Sequence, residues 1–394
     1  MTVRLGRILL AACLGAAPSL CQVHLVTGSP NPLEPSGGYA TLVLRVGADR
    51  TVSQVAELTS EKEGTHWIAV SNELRRAVVV PRDPVHTPVR VVDLDLAAVV
   101  KSCAVPAVGF AMEQWIWNVP GIGPQYVEHV GNPGGGDQLR GMLLDPAVPC
   151  DRSFSKLTPT EAKYLAASGY AGVADVASHD AMRVAIDSNG RVSSLFPSIG
   201  RAYFDLEVPS ALYTDIQKPI AAIMASNQQL LALGVTESSD SRNQRLLVFR
   251  KADQTWHRLP GLSEQLSWTR AFGRFLAVAA AQGKSAKGPD TPGREEWRSE
   301  SASTGPNLAN RLANSDSVFL GRLYLYDADS GQTYSIVTNQ GDSEILLVEN
   351  DVVYYRVSDR LYSAAIAKTA LGEAKLLATL DVIRDAHWAF IKRP

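Results

Sequence analysis

The feature that most constrains the fold of this chain is a repeat of paired apolar segments joined by short polar turns. The clearest copies turn at residues 71–72, 226–227, 273 and 349–350, where Asn, Ser or Gly stands at the bend. These residue types suit tight turns because they tolerate positive φ or hydrogen-bond to their own backbone. Each pair of segments is therefore predicted to be a β-hairpin.

Most of these hairpins are followed by a second one, as in RLYLYDADSGQTYSI at residues 322–336. Units of about four strands then recur about every 46–49 residues wherever nothing is inserted, which is the period of a propeller blade. The strands are almost continuous apolar runs rather than alternating ones, and this pattern indicates sheets that are covered on both faces.

Six such units lie between residues 65 and 380, and the two ends of the chain supply the parts of another. Residues 385–394 are typical of an innermost strand, and residues 22–28, 38–47 and 51–58 of three outer strands. The chain resembles seven-bladed β-propellers of the WD40-like and YVTN/TolB-like kind. The resemblance implies one all-β domain over residues 22–394, with about four antiparallel strands per blade and a last blade closed by both termini.

Two insertions interrupt the repeat. Residues 157–168 are predicted to be a short helix, because Thr158, Pro159 and Glu161 form a capping box with proline at the first helical position. Residues 284–317 are polar and rich in Ser, Gly, Asn and Pro, which predicts a loop without a core of its own.

The first residues are predicted to be an export signal. Arg4 and Arg7 precede an apolar stretch at residues 8–20, and small residues stand before Gln22. Cleavage there would remove residues 1–21 and leave a mature chain without membrane insertion, in the periplasm or secreted. Two alternatives stay open: a lipoprotein signal that uses Cys13, and a buried N-terminal helix.

Two cysteines, Cys103 and Cys150, would remain after cleavage. An even number of cysteines in an oxidising compartment favours a disulfide between them, and two separate buried thiols are the alternative. The absence of C-x-x-C spacing argues against a structural zinc site.

Composition and motif searches narrow the function classes. The formal net charge of −2 gives no attraction to nucleic acid or to an anionic membrane. The sequence contains no G-x-S-x-G elbow, H-E-x-x-H helix, Walker loop, dinucleotide fingerprint or EF-hand loop. No catalytic residue, metal or cofactor is therefore assigned.

The propeller resemblance implies that ligands bind at the end of the ring where loops lead into the innermost strands. Two strands begin alike there, and aromatic residues occupy similar positions in other blades, which gives six candidate ligand-binding side chains at the channel mouth: His66, Trp67, Trp115, Trp268, His387 and Trp388. The alternative is a repeat signature in which the indoles pack between blades and the imidazoles bond to backbone. A metal site would need a carboxylate such as Glu113 or Asp385 in addition.

One turn has a further resemblance. Asp329, Gly331, Thr333 and Tyr334 resemble most of an Asp-box, the turn that recurs in sialidase-type propellers. In that family the box is structural, and its Asp ties the turn between outer strands.

Two functions are consistent with these observations. The first is an exported, monomeric binding module whose loop-rich face holds a protein, peptide or glycan. The second is a propeller enzyme, a hydrolase or lyase acting on a glycan or lactone, with His66 and His387 as acid–base or metal groups. An enzyme requires charged or imidazole groups that converge on the channel opening.

Overall fold

A computed structural model describes most of the repeat region. The described residues are 22–27, 40–84, 86–104, 110–119, 123–131, 138–150, 154–156, 173–175, 182–194, 203–216, 219–237, 244–259, 265–283, 319–337, 343–380 and 386–393. The predicted signal peptide at residues 1–21, the predicted helix at 157–168 and the predicted loop at 284–317 lie outside them.

The described strands form six antiparallel sheets. Sheet 1 consists of β1 (Val23–Thr27), β2 (Thr41–Val46), β3 (Val52–Thr59) and β28 (Ala386–Ile391). Sheet 2 consists of β4 (Thr65–Ser71), β5 (Arg76–Pro81), β6 (Val89–Asp93) and β7 (Ala98–Cys103).

The other four sheets complete the described strands. Sheet 3 consists of β8 (Phe110–Val119), β9 (Gly123–Gly131), β10 (Gln138–Leu143), β11 (Phe154–Lys156) and β12 (Val173–Asp175). Sheet 4 consists of β13 (Met182–Ile186), β14 (Arg191–Ser194), β15 (Tyr203–Glu207), β16 (Pro219–Ser226), β17 (Leu230–Glu237), β18 (Gln244–Arg250) and β19 (Thr255–Arg258). Sheet 5 consists of β20 (Gln265–Phe272), β21 (Phe275–Gly283), β22 (Phe319–Asp327) and β23 (Thr333–Val337). Sheet 6 consists of β24 (Ser343–Glu349), β25 (Val352–Val357), β26 (Arg360–Ala365) and β27 (Lys375–Thr379).

The strand pairing corrects the expected set of seven separate four-stranded blades. Four of the six sheets have four strands, whereas sheet 3 has five and sheet 4 has seven. The physical reason is pairing across the expected boundaries: β12 pairs with β8, and β13 pairs with β16. The apolar pattern predicted the hairpins, but it carries no information on which strand edges meet.

The chain ends meet in sheet 1, as the terminal segments predicted. Its strands are hydrogen-bonded in the order β28-β1-β2-β3. The register places Val23 opposite Ile391 and Leu25 opposite Ala389. This pairing covers the edge of β1, which would otherwise present unpaired backbone groups.

Six clusters of buried apolar side chains join the sheets in a closed cycle. They lie between sheets 1 and 2, 2 and 3, 3 and 4, 4 and 5, 5 and 6, and 6 and 1. Each sheet is covered on both faces, which is why β5 buries five successive residues, Ala77 to Pro81. The architecture is a propeller-like ring of small antiparallel sheets.

Helical structure is almost absent from the described residues, where one 3₁₀ turn spans Ser210–Leu212. Within the same residues, no helix is both long enough and apolar enough to cross a membrane.

Candidate functional site at the loop-rich end of the ring

The first strands of several sheets converge at the centre of the ring. Strands β4, β20, β24 and β28 each stand at one edge of their sheet, and contacts run from β20 to β24 and from β24 to β28. The end at which these strands begin is called the loop-rich end below. The opposite end, where β4, β20 and β24 turn into their hairpin partners at residues 72, 273 and 350, is called the hairpin end.

Two of the candidate indoles at this end are packing residues. Trp67 is 7% exposed and lies in the cluster between sheets 2 and 3, with its ring 5.5 Å from that of Tyr126. Trp388 is 6% exposed and lies in the cluster between sheets 1 and 2. Both rings are largely buried within these clusters, and a role in ligand binding stays a prediction.

The remaining candidates are placed only by their strands. His66 lies near the start of β4, Trp115 in β8 and Trp268 in β20. Their side chains lie outside the described part of the structure, so their role as ligand-binding residues stays a prediction.

His387 is the candidate that contacts a carboxylate. Its Nδ1 lies 2.7 Å from Oε2 of Glu344, and 12% of its side chain is exposed. Glu344 is the second residue of β24. The side chains of Asp385 and Glu113, the carboxylates that a metal site was expected to need, lie outside the described part of the structure.

Glu344 is the centre of a buried polar group that we call the Glu344 cluster: Glu344, Arg270, Arg356 and His387. Nη2 of Arg270 lies 2.7 Å from one carboxylate oxygen, and Nη2 of Arg356 lies 3.2 Å from the other. Both guanidinium groups also donate to the backbone of β28: Arg270 to the carbonyl oxygen of His387, and Arg356 to that of Ala386 at 3.0 Å. The cluster thereby ties β20, β24, β25 and β28 together.

The charges of the cluster decide its ionisation. Burial opposes the charged form of Glu344, but His387 and the two guanidinium groups hold the pKa of its carboxyl well below the ordinary value. Arg270 also stacks over the ring of Trp388, with 5.0 Å from its Cζ to the ring centroid. The cluster can therefore brace the strands that it joins.

Sequence reasoning missed Glu344, Arg270 and Arg356. Arg270 and Arg356 are each the one charged residue of their strand, and Glu344 directly precedes the apolar run at residues 345–348. Charged residues are almost never fully buried unless they are paired. That isolation was the available signal, although it does not identify the partners.

A second buried carboxylate lies in sheet 3, in what we call the Glu128 cluster: Glu128, Arg140, Tyr126 and Gln114. Nη2 of Arg140 lies 2.6 Å from Glu128 Oε1, and the Tyr126 hydroxyl donates to Oε2 at 2.9 Å. The Gln114 amide donates to the Tyr126 oxygen at 2.7 Å. Burial raises the pKa of Glu128 above its ordinary value despite the charge of Arg140.

Cys103, the last residue of β7, is bonded to Cys150 in the structure. Their Cα atoms are 5.3 Å apart, which is within the normal range for a disulfide. The bond joins sheet 2 to the segment that follows β10, next to the apolar cluster that contains Trp67.

No group of three or more His, Cys, Asp or Glu side chains capable of holding a metal ion occurs among the described residues. The described part of the loop-rich end thus contains paired and packed side chains.

Among known proteins, no protein-family model and no curated sequence matches the chain. Among solved structures, Sqt1 of Saccharomyces cerevisiae is 11% identical with a TM-score of 0.40, over 90% of this chain and 85% of that one. Hsv2p of Kluyveromyces lactis is 8% identical with a TM-score of 0.41, over 91% of this chain and 95% of that one. The complex of KlAtg21 with the coiled-coil of AgAtg16 is 8% identical with a TM-score of 0.29, over 86% of this chain and 76% of that one. Strand pairing and the cycle of apolar clusters define this chain as a propeller-like ring.

Proposed function

We propose that this chain is an exported, non-enzymatic β-propeller that binds a protein, peptide or glycan through the loop-rich end of its ring. The observation that carries the proposal is the Glu344 cluster. Its charged groups bond to one another and to the backbone of β28, so they act as braces between β20, β24, β25 and β28. A rigid platform lowers the entropic cost of binding a partner.

Export is supported by two independent features. The basic and apolar pattern of residues 4–20 is typical of a signal peptide. The bonded pair Cys103–Cys150 fits an oxidising compartment, where such bonds form and persist.

Site-specific photo-crosslinking tests the binding surface. A photoreactive residue would replace His86, which is exposed in the loop between β5 and β6 at the loop-rich end. The matched position is Asp49, exposed in the turn between β2 and β3 at the hairpin end. In cells that express the chain, we expect one dominant crosslinked partner at position 86 and none at 49. Equal crosslinking at both positions, or none at either, would contradict a partner at the loop-rich end.

Export is tested separately by cell fractionation and N-terminal sequencing of the mature chain. We expect an extracytoplasmic protein that begins at Gln22. A cytoplasmic chain that retains Arg4 and Arg7 would contradict export and leave the binding proposal to the crosslinking result.

The geometry of His387 supports a second candidate function, a hydrolase or lyase. A carboxylate 2.7 Å from Nδ1 orients an imidazole for acid–base work. We rank it second because Glu344 is shared with two guanidinium groups. Turnover of a glycan or lactone that is abolished in His387→Gln, with the fold intact, would reverse this order.

A further inference from the structure

Three buried polar atoms at the hairpin end have no hydrogen-bond partner within the described part of the chain. They are Oδ1 of Asn72, Nη1 of Arg75 and Oε2 of Glu349. Buried polar groups in folded proteins are almost always paired, so each of these atoms requires an explanation. None of the three residues belongs to the Glu344 cluster or to the Glu128 cluster.

The three side chains meet where the innermost strands of successive sheets end. Asn72 follows β4 of sheet 2, and Glu349 is the last residue of β24 in sheet 6. Strand β28 of sheet 1 lies between them in the ring. The Asn72 amide donates to the carbonyl oxygen of Ala389 in β28 at 3.3 Å. Nη2 of Arg75 donates to the carbonyl oxygen of Ile391, the last residue of that strand, at 2.6 Å.

Arg75 is held in place with one arm of its guanidinium group unused. Its Nε and Nη2 both donate to Oδ1 of Asp95, at 3.2 and 2.7 Å. The side chain is 9% exposed. A guanidinium group has five N–H donors, and the two on Nη1 remain without an acceptor.

The matching turn of sheet 4 shows why the Asn72 oxygen lacks a donor. Asn227 also donates its amide across a sheet boundary, to the carbonyl oxygen of Gly273 at 2.8 Å. Its Oδ1 accepts from two backbone amides of its own turn, both at 2.9 Å. In the turn of Asn72, the backbone amide of Leu74 donates instead to the hydroxyl of Ser71 at 3.2 Å. The Asn72 oxygen is therefore left for another donor.

Glu349 is attracted by Arg75 without bonding to it. Burial raises the pKa of Glu349, and the positive charges of Arg75 and Arg393 oppose that rise. In the described residues the ion pair of Arg75 is with Asp95, not with Glu349. A polar contact longer than about 3.5 Å is commonly bridged by water.

We propose that these three atoms bind one internal water molecule, which links sheets 2 and 6 across the end of β28. Together they offer one donor group and two acceptors. A water molecule is the complement of this set, since it accepts from Arg75 and donates to both Asn72 and Glu349. Three hydrogen bonds are typical of a buried structural water. An ammonium ion could not accept from the guanidinium group, and a chloride ion could not donate to the two oxygen atoms.

A high-resolution crystal structure of the chain tests the site directly. We expect one ordered water within about 2.7–3.2 Å of Nη1 of Arg75, Oδ1 of Asn72 and Oε2 of Glu349. Glu349→Gln should keep this water, because its amide oxygen still accepts, whereas Glu349→Met should lose it. A direct contact between Arg75 and Glu349, or a map without water between the three atoms, would overturn the proposal.

Urea unfolding of paired variants gives a second readout. Asn72→Ala and Glu349→Met should each lower the midpoint. Because each removes a partner of the same water, the double variant should lose less than the sum of the two losses. The matched control is Asn227→Ala, whose oxygen is paired within its turn, and its loss should add to that of Glu349→Met in full. Additive losses in both pairs would overturn a shared water. The wild-type crystal structure decides the proposal even if a variant does not fold.

Discussion

The Glu344 cluster and the Glu128 cluster solve the same problem with different numbers of cations. Glu344 is surrounded by two guanidinium groups and an imidazole, and its pKa is lowered. Glu128 has one guanidinium and a phenol, and its pKa is raised. Both side chains are at least 94% buried, at 6% and 3% exposure.

The difference shows that the partners of a buried carboxylate decide the direction in which its pKa shifts. Burial raises the pKa of Glu128 despite the charge of Arg140, whereas the groups around Glu344 lower its pKa despite burial. The two clusters also differ in where they lie in the ring. The Glu344 cluster joins strands of three sheets, and the Glu128 cluster stays within sheet 3. The first is therefore a brace of the ring, and the second a local network.

The largest expected effect comes from Glu344→Gln. It leaves two buried guanidinium groups without their carboxylate, so we expect the free energy of unfolding to fall by about 3–5 kcal/mol. Urea unfolding followed by fluorescence measures the change. Glu57→Gln, at an exposed position of β3, is the control and should change stability little. A loss below about 1 kcal/mol would mean that the cluster is not a brace.

Removal of the disulfide has the next largest expected effect, and this bond lies beside the apolar cluster that contains Tyr126 of the Glu128 cluster. The sequence separation of 47 residues gives a loss of about 2–4 kcal/mol for Cys103→Ser/Cys150→Ser. The measurement is the same unfolding experiment without reductant. Wild-type protein in reductant should match the variant, and a mismatch would show that the substitutions act through packing.

His387→Phe removes one member of the Glu344 cluster and keeps both arginines. The loss of a hydrogen bond to a charged group should cost about 1.5–3 kcal/mol, less than the loss of the carboxylate. His86→Phe, at an imidazole whose side chain is 80% exposed, is the matched control. A cost equal to that of Glu344→Gln would make the imidazole, not the arginines, the decisive partner.

The two carboxylates should respond to pH with opposite signs. Glu344 has a lowered pKa in the folded state, so the stability it supplies is present above about pH 4.5 and is lost as the pH falls. Glu128 has a raised pKa, so its contribution declines as the pH rises from 4.5 through that raised value. Each group can change the free energy of unfolding by at most about 1.4 kcal/mol per pH unit.

Unfolding curves between pH 3 and 7 measure both slopes. Compared with wild type, Glu344→Gln should flatten the acid limb, and Glu128→Gln should remove a decline above pH 4.5. If the free energy of unfolding depended on pH in the same way in both variants, the opposite pKa shifts of Glu344 and Glu128 would be contradicted.

The smallest expected effect is that of replacing the whole Glu128 pair. Glu128→Gln/Arg140→Met removes both charges, and we expect stability to stay within about 1 kcal/mol of wild type. Arg140→Met alone should cost more, because it leaves the carboxylate buried with the phenol. If Arg140→Met were more stable than the double variant, the ion pair would not be offsetting the cost of burying the Glu128 carboxylate. Thermal unfolding of the two variants side by side measures the difference.

The sequence predicted the hairpins well and their association less well. Residues 322–336 form β22 and β23 as expected, because turn chemistry and apolar runs act locally. The merging of strands in sheets 3 and 4 depends on pairings such as β13 with β16, and no local pattern specifies them. The candidate site shows the same limit. His387 was singled out, but its partners Glu344 and Arg270 lie 43 and 117 positions away along the chain.

The pairing of β1 with β28 sets the order in which the molecule can be completed during translation. Among the described strands, β1 is the first to leave the ribosome and β28 is the last, yet the two are neighbours in one sheet. Throughout synthesis the growing chain therefore carries β1 with an open edge, which is a template for pairing with other nascent chains. A circular permutant that opens between β3 and β4 would make sheet 1 contiguous in sequence and would shorten this exposure.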